Sequence, residues 1–449
     1  MEIEEHAHRH ESGKPAQSDS ADKRESGKSA QSGSADKFES GKSAQSDSAD
    51  KRESGKSAHS ARVPRVLVVT TSRRTRGGIA SVVRALEQEP VWTKHRCRWI
   101  ATQIDRGVLM KMWYLVSSYL SFFWWVGRYD IVHFHTVPGN STRIHLPLMR
   151  RAKRRGLKCI VHLHIGEQLV EYVDNKQFRA LLDEADQVLV LSRKARELVK
   201  KYYRLETPVE VVYNACRVVK PAINEHFTKL EHMVTPVISV HPKEPGYAEI
   251  FGVNVHPKEP DQPPVVSTKS DRRRMILVAG ILDANKAYDT IIRAFSQVAR
   301  RHTDWKLVFA GNGEVEKARA LASDSGAGSQ VEFRGWVSGD EKAALFLQAS
   351  VFCLASYKEG FPMAVLEAWA YGIPVVCTAA GGLADVVADG VNALVVEPGN
   401  SDDLERQLER MMTDEGLRSR IVQEASQLIR EQFSPEAINA QLEKIYKEL

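Results

Sequence analysis

Glu359 and Glu367 stand on either side of seven residues in the run EGFPMAVLEAWAYGIPVV. The run reads as a turn, a helix and a strand, and the apolar segment at 350–356 (SVFCLAS) supplies a strand before it. Pro362 is expected as the first helical residue, because its fixed φ and missing N–H suit that position. Gly372 is expected just past the helix, with Pro374 following. This spacing puts Glu359 at the carboxyl end of a strand beside free helical N–H groups. Glu367 then lies about one and a half turns into the helix. Such a helix start is a place for an anion in an open parallel sheet. A carboxylate beside it suits hydroxyl groups instead. One ligand that offers both a diphosphate and several hydroxyls is a nucleotide sugar. The alternative is that both carboxylates are solvated and merely favour the helix dipole.

The elements that must position these groups follow from hydrophobic patterning. RVLVVTT (65–71), YDIVHFHT (129–136), KCIVHLHI (158–165), QVLVLS (187–192) and VEVVYNA (209–215) are apolar, β-branched runs. A second series comprises MILVAGIL (275–282), KLVFAG (306–311), VEFRGWV (331–337), SVFCLAS, PVVCT (374–378) and ALVVEP (393–398). Continuous apolar runs separated by helical patterns indicate parallel sheets covered on both faces. Two doubly wound domains facing a cleft follow. The expected divisions are a disordered tail at 1–62, an N-terminal domain at 63–221, an insertion or linker at 222–273, a C-terminal domain at 274–433 and a final helix at 434–449. The tail reading rests on a 14-residue unit, ESGKPAQSDSADKR and its copies, which has almost no apolar bulk to bury. Its His6, His8 and His10 belong to that solvated segment. The linker carries HPKEP twice, at 241–245 and 256–260.

The chain has 449 residues, 43% of them hydrophobic, which is ample for two cores. A balance of 63 basic to 57 acidic residues, a net +6, is too weak to indicate nucleic acid. The five cysteines include no C-x-x-C pair, and an odd number cannot all pair within the chain. Reduced thiols in a cytoplasmic protein are expected. The polar N-terminus has no apolar signal region. The first strand is followed by TTSRRTRGG and not G-x-G-x-x-G, which argues against a nicotinamide dehydrogenase. No cofactor is expected. The absence of an Asp-x-Asp after an apolar strand leaves no metal site to expect.

EGFP, the following Glu367, AWAYGIPVV and AAGGLADVVADGVNALVVEPGN resemble the donor-binding segment of the family 4 retaining glycosyltransferases, which have the two-domain GT-B fold. The resemblance is dense over 274–400 and looser over 65–215. It implies an α/β GT-B architecture of two Rossmann-like domains and metal-independent sugar transfer. Glu359 then matches the glutamate that approaches the donor sugar. Gly360, Phe361 and Pro362 match the loop facing sugar or phosphate, and Glu367 the ribose-binding glutamate. Gly335, Trp336 and Val337 match the strand end against the nucleobase. Lys286 matches the lysine that contacts the diphosphate, Gly78 the glycine loop after the first strand, and His164 the histidine facing the sugar. Asn214 matches a structural turn. Two departures stand out: Ile281 replaces the usual arginine, and Ala287 the glycine after the lysine.

The segment 108–126 (VLMKMWYLVSSYLSFFWWV) is apolar and aromatic, and RRAKRRGLK (150–158) is strongly basic. Together they suggest peripheral contact with an anionic membrane on the cytoplasmic side. The expected partners are a UDP- or GDP-sugar and a lipid-linked or saccharide acceptor, in exopolysaccharide or lipopolysaccharide synthesis. The competing readings are a nucleotide-sugar epimerase or hydrolase of the same fold and a degenerate, non-catalytic binder.

Overall fold

The computed structural model describes residues 62–75, 77–216 and 272–449. The repeats and the HPKEP segment lie outside them. The first half runs β1 (Val66–Thr71), α1 (Gly78–Glu87), α2 (Pro90–Lys94), β2 (Arg98–Gln103), α3 (Val108–Trp125), β3 (Ile131–Thr136), α4 (Asn140–Lys153), β4 (Lys158–Leu163), α5 (Lys176–Asp183), β5 (Gln187–Val190), α6 (Arg193–Leu198) and β6 (Val209–Val211). The second half runs β7 (Met275–Ala279), α7 (Tyr288–Ala299), β8 (Lys306–Ala310), α8 (Val315–Asp324), β9 (Val331–Phe333), α9 (Gly339–Gln348), β10 (Val351–Leu354), α10 (Met363–Ala370), β11 (Val375–Thr378), β12 (Leu394–Val396), α11 (Ser401–Thr413), α12 (Glu415–Leu428) and α13 (Pro435–Glu448).

Each half forms a six-stranded parallel sheet, ordered β2-β1-β3-β4-β5-β6 and β12-β11-β10-β7-β8-β9. This is the doubly wound α/β architecture of a GT-B fold. The strand order reverses between β1 and β3 in one sheet and between β7 and β10 in the other. Ligands of such sheets bind outside the carboxyl ends of the strands at these reversals.

Helix packing follows the apolar periodicity. Ile291, Ile292, Phe295 and Val298 of α7 are fully buried in the second core. Helix α13 starts at Ser434, whose Oγ accepts from the Ala437 N–H, with Pro435 as first helical residue. It packs back against the first sheet. Ile438, Leu442, Ile445 and Tyr446 share a core with Val66, Val83, Val91 and Trp99. Lys94 pairs with Glu443 at 2.5 Å.

Two elements differ from the expectation. The segment 98–103 (RWIATQ), not recognised as a strand, is the edge strand β2; its mixed polarity hides it. Pro362 is the N-cap of α10, with ψ at 110°, and the helix starts at Met363.

Helix α3 departs from ordinary amphipathic packing. Of its eighteen residues only Ser118 and Phe122 are buried. Leu109 is 87% exposed, and Trp113, Leu120 and Trp124 are each 67% exposed. Among the described residues no helix is long and apolar enough to cross a membrane.

The alternation of β3 and β4 points His133, His135 and His162 into one buried layer, where His135 pairs in register with His162. Burial pushes His162 down to about 4 and His145, on α4, down to about 3. It holds His133 and His135 well below the ordinary histidine value. These rings are therefore neutral in the fold and would be protonated in the unfolded chain below about pH 6.5. The stability they carry is fully present above that pH and is lost as pH falls toward the folded values. Unfolding free energy should drop by up to about 1.4 kcal/mol per pH unit for each such histidine between pH 6.5 and 4. Denaturant melts at pH 7 and pH 5 check this, and a flat profile would contradict it.

Candidate functional site

Four segments meet at the two strand-order reversals: the loops after β1, β3, β7 and β10. With the loops after β4, β5 and β6 they enclose a cavity of about 390 Å³. Its lining includes Gly78, His164, Asn214, Lys286, Glu359, Gly360, Phe361 and Pro362. Six of the residues expected to serve donor binding or catalysis, together with His164, thus converge from both lobes.

At the centre Lys286 Nζ is ion-paired with Glu359 Oε1. Local geometry brings them together. Asp283 Oδ1 accepts from the Lys286 N–H at 2.9 Å, closing a short 3₁₀ turn after β7. Asn285 then bonds Lys358 twice, donating from Nδ2 to its carbonyl at 2.9 Å and accepting its N–H at 3.1 Å. Asn285 also accepts the Tyr357 N–H on its own carbonyl at 2.9 Å. The lysine loop is thereby stitched to the glutamate turn. Ala287 completes the loop in the left-handed region, with φ at +50°. Glycine adopts this without the Cβ cost that alanine carries. The α10 start adds Met363 and Ala364 to the cavity wall, with the unpaired N–H groups of a first helical turn.

His164 is half-buried at the mouth of β4. It shares a hydrogen bond with His135, Nε2 to Nδ1, at 2.8 Å. Burial, reinforced by the neighbouring imidazoles, holds His164 well below its ordinary value, so it is neutral at pH 7. His135 Nε2 is buried without a partner. A bare ring nitrogen there costs less than an unpaired N–H, which places the His135 proton on Nδ1, donating to His164. Neutral His164 then keeps its own proton on Nδ1 and offers a donor. Behind it, His133 Nδ1 lies 2.8 Å from the Tyr446 hydroxyl of α13.

The ring nitrogens of His133, His135 and His162 lie within 4.8 Å of one another, the one such group among the described residues. His133 and His162 are nearly parallel, at 9°. All three rings are neutral, the form in which imidazole can ligate a metal, and each has a buried Nε2 without a partner. The trio is a packed layer of neutral rings.

The remaining expected residues lie elsewhere. Glu367 faces Lys342 of α9 at 2.7 Å, outside the cavity lining. Gly335 adopts φ +65° on the far edge. Val337 turns its side chain into the apolar cluster around Leu277, Phe346 and Phe352, while Trp336 beside it is 41% exposed. Residues that the sequence did not single out include Asn285, Lys342, Asp385 and Glu171. Asp385 lies within the AAGGLADVV run without standing out in it, the other three belong to no motif, and each acts through a partner distant in the chain.

The lobes touch closely around the ion pair. Asn214 Nδ2 donates to the Phe361 carbonyl at 3.2 Å. Arg193 donates to Asp385 through its N–H at 2.5 Å and through its guanidinium at 2.6 Å, and Tyr213 adds its hydroxyl at 3.2 Å. Lys358 reaches Glu171 at 2.6 Å. Gly166 and Gly381 crowd the Glu359 carbonyl so closely that a Cβ at either would collide with it.

Two family models match the chain: Glycosyltransferase Family 4 over residues 60–218 and Glycosyl transferases group 1 over residues 262–428. An uncharacterised glycosyltransferase of Methanocaldococcus jannaschii is 34% identical over 178 residues, 39% of this chain and 45% of that protein. The lipopolysaccharide core biosynthesis glycosyltransferase LpsE of Rhizobium meliloti is 31% identical over 165 residues, 36% of this chain and 47% of that protein. The chain thus matches about half the length of these curated relatives. The solved structure of Anabaena HepE in complex with UDP and glucose superposes with a TM-score of 0.63 at 16% identity, covering 86% of this chain and all of that one.

A methyl group at position 166 must displace the Glu359 backbone or part the lobes. Gly166→Ala is expected to destabilise the fold by about 1–3 kcal/mol, the usual cost of forcing extra atoms into a packed contact. Denaturant melts of the variant beside the parent chain check this; an unchanged midpoint would contradict it.

Proposed function

We propose that this chain, a member of the family 4 glycosyltransferases with the GT-B fold, moves a hexosyl group from a UDP- or GDP-sugar to a lipid-linked or saccharide acceptor, with retention of configuration. The observation that carries this reading is the Lys286–Glu359 pair beside the α10 N-terminus in a cleft between two doubly wound lobes. Lys286 and the free N–H groups of α10 would meet the charge that develops on the departing diphosphate. Glu359, freed from the lysine as phosphate replaces it, would accept hydrogen bonds from sugar hydroxyls. His164 would donate to the sugar through Nδ1. Glu367, oriented by Lys342, would take the ribose hydroxyls, and the edge formed by Gly335 and Trp336 would lie against the base.

In this reading residues 63–221 serve the acceptor, residues 274–433 hold the donor, and the helix at 434–449 ties the two. The UDP-bound state of Anabaena HepE supports a nucleotide donor, and the role named for LpsE supports a place in polysaccharide or lipopolysaccharide assembly. Exposed Ile281 supplies no guanidinium at the diphosphate, which leaves Lys286 as the principal cation there. A divalent ion is not needed in this scheme. The protein would work at the inner face of the cytoplasmic membrane, with α3 as the apolar contact.

Release of nucleotide from a panel of UDP-, GDP- and ADP-sugars, with and without membrane lipid extract, tests the proposal; no turnover of any would overturn it. Glu367→Ala is expected to weaken nucleotide and nucleotide sugar alike, and Glu359→Ala to lower turnover more than nucleotide affinity. Each effect should be about 2–4 kcal/mol. Near-wild-type kinetics in both would remove the assignment.

Turnover is expected to survive EDTA. Loss restored by magnesium or manganese would contradict the metal-independent scheme.

Attachment to anionic vesicles should be salt-sensitive. In the basic run, Arg150 is engaged by Glu184 at 2.6 Å and Lys153 by Asp186 at 3.0 Å. Arg151 stacks over the Phe123 ring of α3, with 5.3 Å to its centroid. Replacing Arg150, Arg151, Arg154 and Arg155 by glutamate should release the protein from the vesicles without altering nucleotide binding. Vesicle sedimentation reads this, and wild type remaining in the supernatant would count against membrane contact.

A further inference from the structure

We propose that the trough between α3 and α4 seats the hydrocarbon chain of a membrane lipid whose phosphate rests on Arg143, and that this lipid is the acceptor: a headgroup hydroxyl oxygen forms the new bond to the anomeric carbon as the sugar–diphosphate bond breaks, and its proton leaves with the nucleoside diphosphate. The inference deepens the transferase reading above and rests on it. Leu115, Val116, Tyr119 and Leu120 of α3 and Ile144 of α4 line a trough of about 540 Å³, with Arg143 as its charged member. Val116 and Leu120 are 51% and 67% exposed, so the trough opens along one side onto the apolar face of α3. A contiguous apolar surface of this kind marks a site of interaction.

Three observations select a phosphate-bearing lipid as the occupant. The first is charge. Arg143 is exposed and forms no ion pair among the described residues, and exposed Arg106 and Lys111 lie at the N-terminal end of α3, where Asp105 is the one acidic neighbour and the helix itself has none. An arginine fork suits a phosphate. The second is position. Val137 lines the cleft cavity, α4 begins three residues later at Asn140, and Arg143 lies about one turn further on. The third is registration of α3 with the cleft rim. Its Tyr114 hydroxyl meets Ser72 Oγ at 3.1 Å, just past the end of β1, and Gln103 Nε2 donates to Ser141 Oγ at 3.3 Å between β2 and α4. A phosphate on Arg143 therefore sits at the rim of the cleft with its chain running down the flank, which would point the headgroup toward the donor.

The test uses the full chain and alkyl phosphates of increasing length, held below their micellar concentrations, against dodecyl maltoside as a neutral-headed control. Affinity for the phosphates should rise about fourfold per added methylene until the trough is filled. Leu115→Trp, which occupies the trough, should reduce the long-chain affinity at least tenfold and leave nucleotide release without lipid unchanged. Ile144→Trp serves the same purpose if that variant does not fold. Arg143→Gln should weaken the phosphates about tenfold and the maltoside not at all. Inorganic phosphate alone should not compete. No dependence on chain length, or full long-chain binding by both tryptophan variants, overturns the proposal. So does a dimer by sedimentation that Leu120→Glu dissociates, because the face then belongs to a second copy of the chain. Chain-length-dependent binding with no turnover of any nucleotide sugar would sink the transferase reading and with it the acceptor role, leaving only a lipid seat; turnover without chain-length dependence would overturn the trough and leave the transferase reading standing.

Discussion

A lysine and a glutamate held together at the floor of a cleft must be neutralised by each other until something better arrives. Lys286 and Glu359 come from loops that follow β7 and β10, neighbours in one sheet, and the pair sits where the other lobe closes over it. Burying a lone charge there would cost several kcal/mol, and burying the matched pair costs far less. A ligand carrying both a diphosphate and hydroxyl groups can replace each partner with its own complement. On the proposed function the pair would hold the place of that ligand until it binds.

Much of the surrounding structure serves to hold that placeholder. Asn285 locks the two loops together, and Ala287 accepts a left-handed backbone to turn the chain into α7. Gly166 and Gly381 let two other loops approach the Glu359 carbonyl more closely than any side chain permits. On the other lobe, the stacked neutral histidines carry a line of contacts from the Tyr446 hydroxyl of α13 to His164 at the cleft. The C-terminal helix is thus packed against the layer that fixes which proton His164 presents.

The strands, their parallel order and the convergence of Glu359, His164, Lys286 and Gly360 were legible in the sequence because they rest on local patterns: continuous β-branched runs, a strand–turn–helix spacing and a long motif. What escaped it depends on pairing across the chain. Lys342 is twenty-five residues from Glu367 and belongs to no motif that names its partner. The contact between His135 and His164 depends on the register of β3 against β4, which sequence alone does not supply. The edge strand β2 was hidden by RWIATQ, whose polar positions are tolerated where one side is open. Val337 belongs to the strand end expected against the nucleobase, and its side chain is buried in the core, which the resemblance alone does not tell. Pro362 was placed one residue too far into its helix because its φ suits both the cap and the first turn, and only ψ tells them apart.

On the proposed function Lys286 and Glu359 act as one unit on a nucleotide sugar. A double-mutant cycle on donor turnover, with Lys286→Met, Glu359→Gln and the combined variant, measures this directly. The combined loss is expected barely to exceed the larger single loss, a coupling of about 1–3 kcal/mol. Additive losses, with a coupling below about 0.3 kcal/mol, would contradict it.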